Sequence, residues 1–555
     1  MTKRRKSLLS LMMALALMLS LFSPAASAAP SMQAYVSAMQ PGWNLGNSLD
    51  ATGSETSWGN PEITPSLIQQ ISAQGFKSIR IPITWSHRMG GAPDYTIDPA
   101  FMDRVQQVVD WSLDAGLYVM INIHHDSWQW INAMPAKHDE VLARFNAAWT
   151  QIADRFKNHS SKLMFESVNE PVFEGVDDAA QMALLDELNT SFFRIVRASG
   201  GKNAVRPLVL PTLWTNSGQE YLNSVATTVS NLNDPNLIAT VHYYGYWPFS
   251  VNIAGETRFD DSSINDIVTS FDRIHHTFVA NGIPVILGEY GLLGFDKNTG
   301  TIEHGEMLKY FEYLTQYARS KNITHMLWDN GQHFNRNTFQ WNDPELYNVI
   351  MASLTGRSST ASTDLIFLKQ GAGVTDAAID LNLNGNRFVS LKNGNTTLKS
   401  GRDYKINGNV LTIKANYLSK LISGGLGEKA VLSAQFSAGA NWSFHVLHYN
   451  TPKLENASGT TGSFVIPTAF NGDRLATMEA VYADGSNAGP QNWTPFKEFG
   501  YAFAPSYSEN QITLTPNFFK EVNDGVVNLK FHFWSGAVVN YTITKNGAGV
   551  SGTAS

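Results

Sequence analysis

Cysteine is absent from all 555 residues, so disulfides, thiolate catalysis and cysteine-held metals play no part in this chain. Charge is sparse. Asp, Glu, Lys and Arg make 16% of the residues, and 40 basic against 47 acidic side chains leave a net −7. Nucleic acid or an anionic membrane would need a basic footprint, and none is present. Beyond Phe22 no apolar run reaches the roughly 18 residues of a membrane span. The one early run, Leu8 to Phe22, follows Lys3-Arg4-Arg5-Lys6 and precedes Ala26-Ser27-Ala28. That is the layout of a secretory signal peptide cleaved near Ala28, so residues 1–28 are read as a leader and the remainder as secreted and extracellular. Aromatic residues, by contrast, are plentiful. Fourteen Trp, 19 Tyr and 30 Phe include several tryptophans in loop-like surroundings, which suits stacking on the apolar faces of sugar rings.

From about Gly42 to Leu354 short apolar runs alternate with longer amphipathic ones. The strand candidates are Gly42 to Leu45, Ser78 to Pro82, Tyr118 to Ile123, Leu163 to Ser167, Pro207 to Leu210, Leu237 to Val241, Pro284 to Leu287 and His325 to Trp328. Helical patterns include Phe101 to Ala115, Glu140 to Phe156, Ala179 to Arg197 and Glu303 to Arg319. Eight strands with helices between them predict an α/β fold, a (β/α)8 TIM barrel over residues 29–356. The small polar stretch Gly356 to Thr363 marks a boundary. Short alternating strands with Asn-Gly turns then predict two small all-β sandwich modules, over 357–450 and 451–547. Gly547-Ala548-Gly549-Val550-Ser551-Gly552 matches a dinucleotide fingerprint in form, but the chain ends where a helix should follow, so 548–555 is read as a flexible tail.

Leu163 to Ser167 runs into Asn169-Glu170-Pro171, where proline stops the strand and leaves Glu170 at its carboxyl end, the active face of a β/α barrel. Alone, such a carboxylate reads as a cap for the next segment. A partner alters that. Val285-Ile286-Leu287-Gly288 delivers Glu289 in the same manner three strands later. Two carboxylates converging on one barrel face are what glycoside hydrolysis needs, one to protonate the departing oxygen and one to attack the sugar carbon or activate water.

With those residues in view, Trp43-Asn44-Leu45-Gly46-Asn47, Ile79-Arg80-Ile81-Pro82, Ile123-His124-His125, Asn169-Glu170-Pro171, His242-Tyr243-Tyr244, Gly288-Glu289-Tyr290-Gly291 and Trp328-Asp329 resemble, in order, the motifs of glycoside hydrolase family 5, and most closely its subfamily 4 of endoglucanases and xyloglucanases. The resemblance implies Glu170 as general acid/base and Glu289 as nucleophile of a retaining reaction, with their carboxyl groups about 5 Å apart. It implies that Arg80 and Tyr244 bond the nucleophile, that Asn169 holds the sugar 2-hydroxyl, that His124 and His242 line the subsite, and that Trp328 is its floor. Asn47 and His125 join as substrate-binding candidates.

Trp58, Trp128, Trp130, Trp214 and Trp247 follow predicted strands and are candidate platforms for further glucose units. His124-His125-Asp126 has no second ligand cluster at a recognised spacing, so neither a metal nor any other cofactor is expected. The two later modules, in their order and in Trp493-Thr494-Pro495-Phe496, resemble an immunoglobulin-like module followed by a carbohydrate-binding module of family 46. That resemblance makes Trp493 a candidate to complete the site for branched glucans. Trp442 is read as core. The expected partner is a β-glucan polysaccharide and the expected state a monomer. The implied activity is that of an endo-β-1,4-glucanase on cellulose-like chains, mixed-linkage glucan and xyloglucan. A dedicated xyloglucanase or a β-mannanase on the same barrel, or a non-catalytic polysaccharide-binding protein, are the alternatives.

Overall fold

The computed structural model describes residues 31–554, and the expected leader lies outside them. Among the described residues no helix is long and apolar enough to cross a membrane. Eight parallel strands form a closed barrel: β1 (Gly42–Asn44), β2 (Ser78–Ile81), β3 (Tyr118–Asn122), β4 (Leu163–Glu166), β5 (Leu208–Pro211), β6 (Leu237–Tyr243), β7 (Val285–Tyr290) and β8 (Thr324–Leu327), with β8 returning to β1. The long outer helices, such as Pro99–Asp114, His138–Phe156, Asp178–Ala198 and His304–Ser320, fall where the periodicity placed them to within two residues. β6 and β7 run two and three residues further than the sequence suggested, because His242 and Glu289 continue the pairing across a register shift. Such a bulge beside a site re-aims the side chains that follow it.

Alternation along the strands sorts the barrel interior. Met120, Met164, Val209, Ile238, Ile286 and Met326 fill its lower part, and Val36 of the entry helix Met32–Ala38 and Met39, which caps it, close the amino-terminal mouth. Two residues further along β3 and β4 the same inward face carries Asn122 and Glu166, both buried. The apolar plug therefore gives way to a polar layer beneath the carboxyl-terminal rim.

The middle module is a sandwich of four and five strands, with Trp442 buried inside it as expected. Its core is continuous with that of the barrel, one apolar cluster extending from Trp43 to Phe444 and Val446. The last module is a second four-plus-five sandwich with a separate core. Its final strand corrects the expected tail. Gly549–Ala554 pairs with both Ala457–Thr460 and Val538–Asn546. Asn546 and Gly549 face each other across a two-residue turn in which Gly547 takes φ +55°, so the glycines mark a hairpin rather than a loose end. This module also rests on the barrel. Asn252 donates from Nδ2 to the Ala476 carbonyl at 3.0 Å and accepts from the Phe499 N–H at 3.1 Å. Arg258 lies over the Trp534 ring at 4.8 Å.

Candidate active site

Arg80, fully buried on β2, organises the polar layer. Its Nε donates to Glu166 at 2.9 Å, one terminal nitrogen to Glu289 Oε1 at 2.6 Å and to Asn44 at 3.1 Å, and the other to Asn169 Oδ1 at 2.7 Å. Burial pulls against the guanidinium charge, but Glu166 and Glu289 outweigh it and raise the pKa further, so Arg80 is a fixed cation. Glu166 ends β4 and is itself held by Asn122 Nδ2 at 2.8 Å.

Glu289 takes its second bond from the Tyr244 hydroxyl, 2.6 Å from Oε2. Burial, then the Glu289 charge, push the Tyr244 pKa well up, so this phenol remains a donor. Glu170 sits four residues past Glu166 and adopts φ +39°, in the left-handed region. The following Pro171 disfavours helical backbone at Glu170, and a strained conformer at such a position is typical of functional sites. His242 Nδ1 is 2.8 Å from Glu170 Oε1 and 3.5 Å from Glu289 Oε2. One oxygen of each glutamate and a ring nitrogen of His242 lie within 4.8 Å of one another. Glu170 keeps 45% of its side chain open to water while Glu289 keeps 5%. Burial in the cleft raises the Glu170 pKa, but the His242 hydrogen bond and the charges of His242 and Arg80 bring the net below the ordinary carboxylate value.

His124 stacks parallel to Trp328, ring centres 6.0 Å apart. Asn122 accepts the Ile83 N–H through Oδ1, so its amide nitrogen faces His124 Nδ1 at 3.0 Å. That nitrogen accepts, and the imidazole proton is therefore on Nε2. Burial first, and then His125, Arg80 and His242, lower the His124 pKa, which keeps the ring neutral. His125 accepts from Trp128 Nε1 at 3.0 Å and lies 5.2 Å from the Trp58 ring. Asn47, at φ +55°, is held by its N–H on Asp50 Oδ2 at 3.0 Å.

The remaining aromatic candidates are spread along the rim. Trp58, Trp128, Trp214 and Trp247 are between 38% and 52% exposed, in connections after β1, β3, β5 and β6. Trp130 instead is tied by Nε1 to Asp126 at 2.7 Å and covered by Arg144, so it is loop packing. Trp493 is 58% exposed on the last module, its ring 6.3 Å from that of Trp247. Sequence reasoning missed Glu166, Asn122 and Asp296, and named Asp329 in a motif without giving it a role. Glu166 had a signal, since strand alternation from Met164 points it inward. Asp329 accepts from Trp43 Nε1 at 2.9 Å and from three loop N–H groups, which fixes the turn after Trp328. Asp126 turns away from His124 and His125, and Asp50 takes the place beside His125, Oδ2 to Nε2 3.5 Å.

The chain matches the family Cellulase (glycosyl hydrolase family 5) over residues 44–334, Carbohydrate binding domain X2 over 360–446 and the CBM46 carbohydrate binding domain over 450–553. It is similar to Endoglucanase B of Paenibacillus lautus, 61% identical over 566 residues and covering 100% of both chains. Among solved structures it is similar to the full-length tri-modular endo-β-1,4-glucanase B of Bacillus halodurans, at 56% identity and TM-score 0.94 over 95% of this chain and 100% of that one. A xyloglucan-specific endo-β-1,4-glucanase from a metagenomic library, in complex with cellotriose, matches at 30% identity and TM-score 0.52 over 57% of this chain and 96% of that one. With a closed barrel that gathers two glutamates at one rim and two sandwich modules behind it, the chain belongs to the cellulases of glycosyl hydrolase family 5 and is a glycoside hydrolase, an endoglucanase.

Proposed function

We propose that the chain is a secreted endo-β-1,4-glucanase that hydrolyses its glycosidic bond with retention, Glu289 acting as nucleophile and Glu170 as acid/base. The observation that carries this reading is that one oxygen of Glu170 and one of Glu289 lie within 4.8 Å of each other, a close approach that suits the roughly 5 Å separation of a retaining pair better than the roughly 6.5–9.5 Å of an inverting one. The hold on Glu289 supports the division of labour. Both oxygens of Glu289 are held, by Arg80 and Tyr244, which aims the carboxylate at the anomeric carbon. Glu170 is the more open of the two and shares a hydrogen bond with His242. In the first step a Glu289 oxygen bonds to C1 while Glu170 delivers its proton to the departing sugar oxygen. In the second, Glu170 takes a proton from water, which attacks C1 from the vacated side and releases Glu289. Arg80 occupies Oδ1 of Asn169, so the Asn169 amide nitrogen is left to donate to the 2-hydroxyl. His124 Nε2–H offers a second donor beside Trp328.

The substrates proposed are cellulose-like β-glucan, mixed-linkage glucan and xyloglucan, with Trp58, Trp128, Trp214 and Trp247 as stacking platforms and Trp493 completing the cleft from above. The pairing of Trp493 with Trp247 supports that last role. Proton NMR of the first product tests the mechanism: the β anomer is expected to appear before mutarotation, and an α product would overturn retention. Glu289→Ala is expected to abolish hydrolysis of soluble glucan, and surviving turnover would reject the assignment. Side-by-side rates on carboxymethylcellulose, lichenan, xyloglucan and mannan test the substrate range, and a preference for mannan would replace it.

A further inference from the structure

Another cluster of ligand-type side chains lies at the junction of the barrel and the middle module and shares no residue with the glutamate pair. His304 opens the barrel helix His304–Ser320. Asp364 directly precedes the strand Leu365–Lys369, and His445 lies in the neighbouring strand Trp442–Tyr449, where its N–H donates to the Asp364 carbonyl at 2.7 Å. One ring nitrogen of each histidine and one carboxylate oxygen of Asp364 fall within 4.8 Å of one another. Carboxylates also flank the rings, Glu345 Oε2 lying 3.7 Å from His304 Nδ1. His304 Nε2 is 2.9 Å from Asp343 Oδ2, and His445 Nδ1 is 2.8 Å from Glu428 Oε2. A carboxylate on the far nitrogen fixes the tautomer of a metal-ligating histidine and raises its basicity.

The carboxylate between them lacks hydrogen-bond donors. Asp364 is 2% exposed, and neither of its side-chain oxygens has a hydrogen-bond partner among the described residues. Oε1 of Glu303, the residue before His304, is likewise buried and without a partner. A buried carboxylate without a hydrogen-bond donor is costly unless a cation or a proton satisfies it. The approach also depends on Gly305, where a Cβ would fall 2.6 Å from Asp364 Cγ. The two histidines keep 32% and 19% of their side chains open, which supplies a path from solvent.

We propose that His304, Asp364 and His445 form a binding site for a divalent ion of the zinc class, which ties the middle module to the barrel. Two imidazoles and a carboxylate suit zinc, cobalt or nickel, whereas calcium and magnesium prefer all-oxygen sets. Bonds of about 2.0–2.2 Å place tetrahedral ligand atoms roughly 3.4 Å apart, so the cluster closes by about 1 Å on binding and water takes the fourth position. The site has no part in the hydrolytic reaction and does not depend on which glutamate is the nucleophile.

The test is calorimetric titration of chelator-stripped full-length protein with zinc chloride, paired with cobalt chloride titration followed by visible absorption. One ion per chain is expected at micromolar zinc, with the cobalt absorption of a four-coordinate site and a rise in Tm of about 2–4 °C under saturating zinc. Asp364→Asn and His445→Gln are each expected to weaken binding at least tenfold and to remove the rise in Tm, while hydrolysis of soluble glucan without zinc stays at the parent level, which shows the variants to be folded. Glu289→Gln is expected to bind zinc as the parent does, which separates this site from the glutamate pair. No binding by the parent protein at micromolar zinc overturns the proposal, and so does binding that Asp364→Asn and His445→Gln leave undiminished.

Discussion

Arg80 holds its place because two carboxylates share its charge, and the one that does no chemistry in the proposed reaction is the more deeply buried. Glu166 and Arg80 are both wholly inaccessible and 2.8 Å apart at their closest. Removing Glu166 leaves Arg80 with Glu289 as its single carboxylate partner, so Glu166→Ala is expected to destabilise the barrel, by less than the roughly 3–5 kcal/mol of a fully orphaned buried charge, and to lower activity, while Glu166→Gln is milder. Denaturant unfolding of the three proteins measures this, and an unchanged midpoint for Glu166→Ala would refute it. Glu170 gives a second expectation. His242 lowers its pKa, so His242→Ala raises it, the acid stays protonated to higher pH, and the basic limb of the kcat/KM profile moves upward. A limb that stays put or moves down counts against His242 as the partner. Both glutamates at the cleft were legible because Pro171 and the glycines around Glu289 punctuate the strands that carry them. Glu166 was legible only in part, because alternation from Met164 turns it inward but nothing in the sequence pairs it with Arg80.

The connection after β7 carries an unusual acid on the short helix Leu293–Lys297. Burial, followed by the charges of Glu289 and Asp329, pushes the Asp296 carboxyl up to about 7 from an ordinary 3.8. The folded protein therefore keeps a proton that the unfolded chain has already released, and stability falls as pH rises from about 4 towards 7. Asp296→Asn removes that dependence, so its Tm is expected to gain on the parent protein between pH 5 and pH 8, as thermal melts at both values would show. A constant difference would place the cause elsewhere. The barrel elements were legible because apolar strands and amphipathic helices have different periods. The bulge that lengthens β6 and β7 was not, since it depends on how the neighbouring strands register.

Across the whole molecule the last module provides two expectations of opposite kinds. If Trp493 completes the cleft, Trp493→Ala slows xyloglucan hydrolysis more than that of short cello-oligosaccharides, and equal loss on both would remove that role. Truncation after Ala548 deletes the strand between Ala457–Thr460 and Val538–Asn546, so the module is expected to unfold and to become sensitive to protease while the barrel persists. Persistent protease resistance would show the strand to be dispensable. Module order was legible from composition and turn signals, but the contacts between modules were not, because they join Asn252 to Ala476 and Arg258 to Trp534 across more than 220 residues. The core shared between the barrel and the middle module bears on how such a chain can be rebuilt. A chimera cut near residue 356 would sever one apolar interior into two wetted halves, whereas a cut near residue 450 separates two finished ones. For recombination, natural or engineered, this protein is two exchangeable parts, not three.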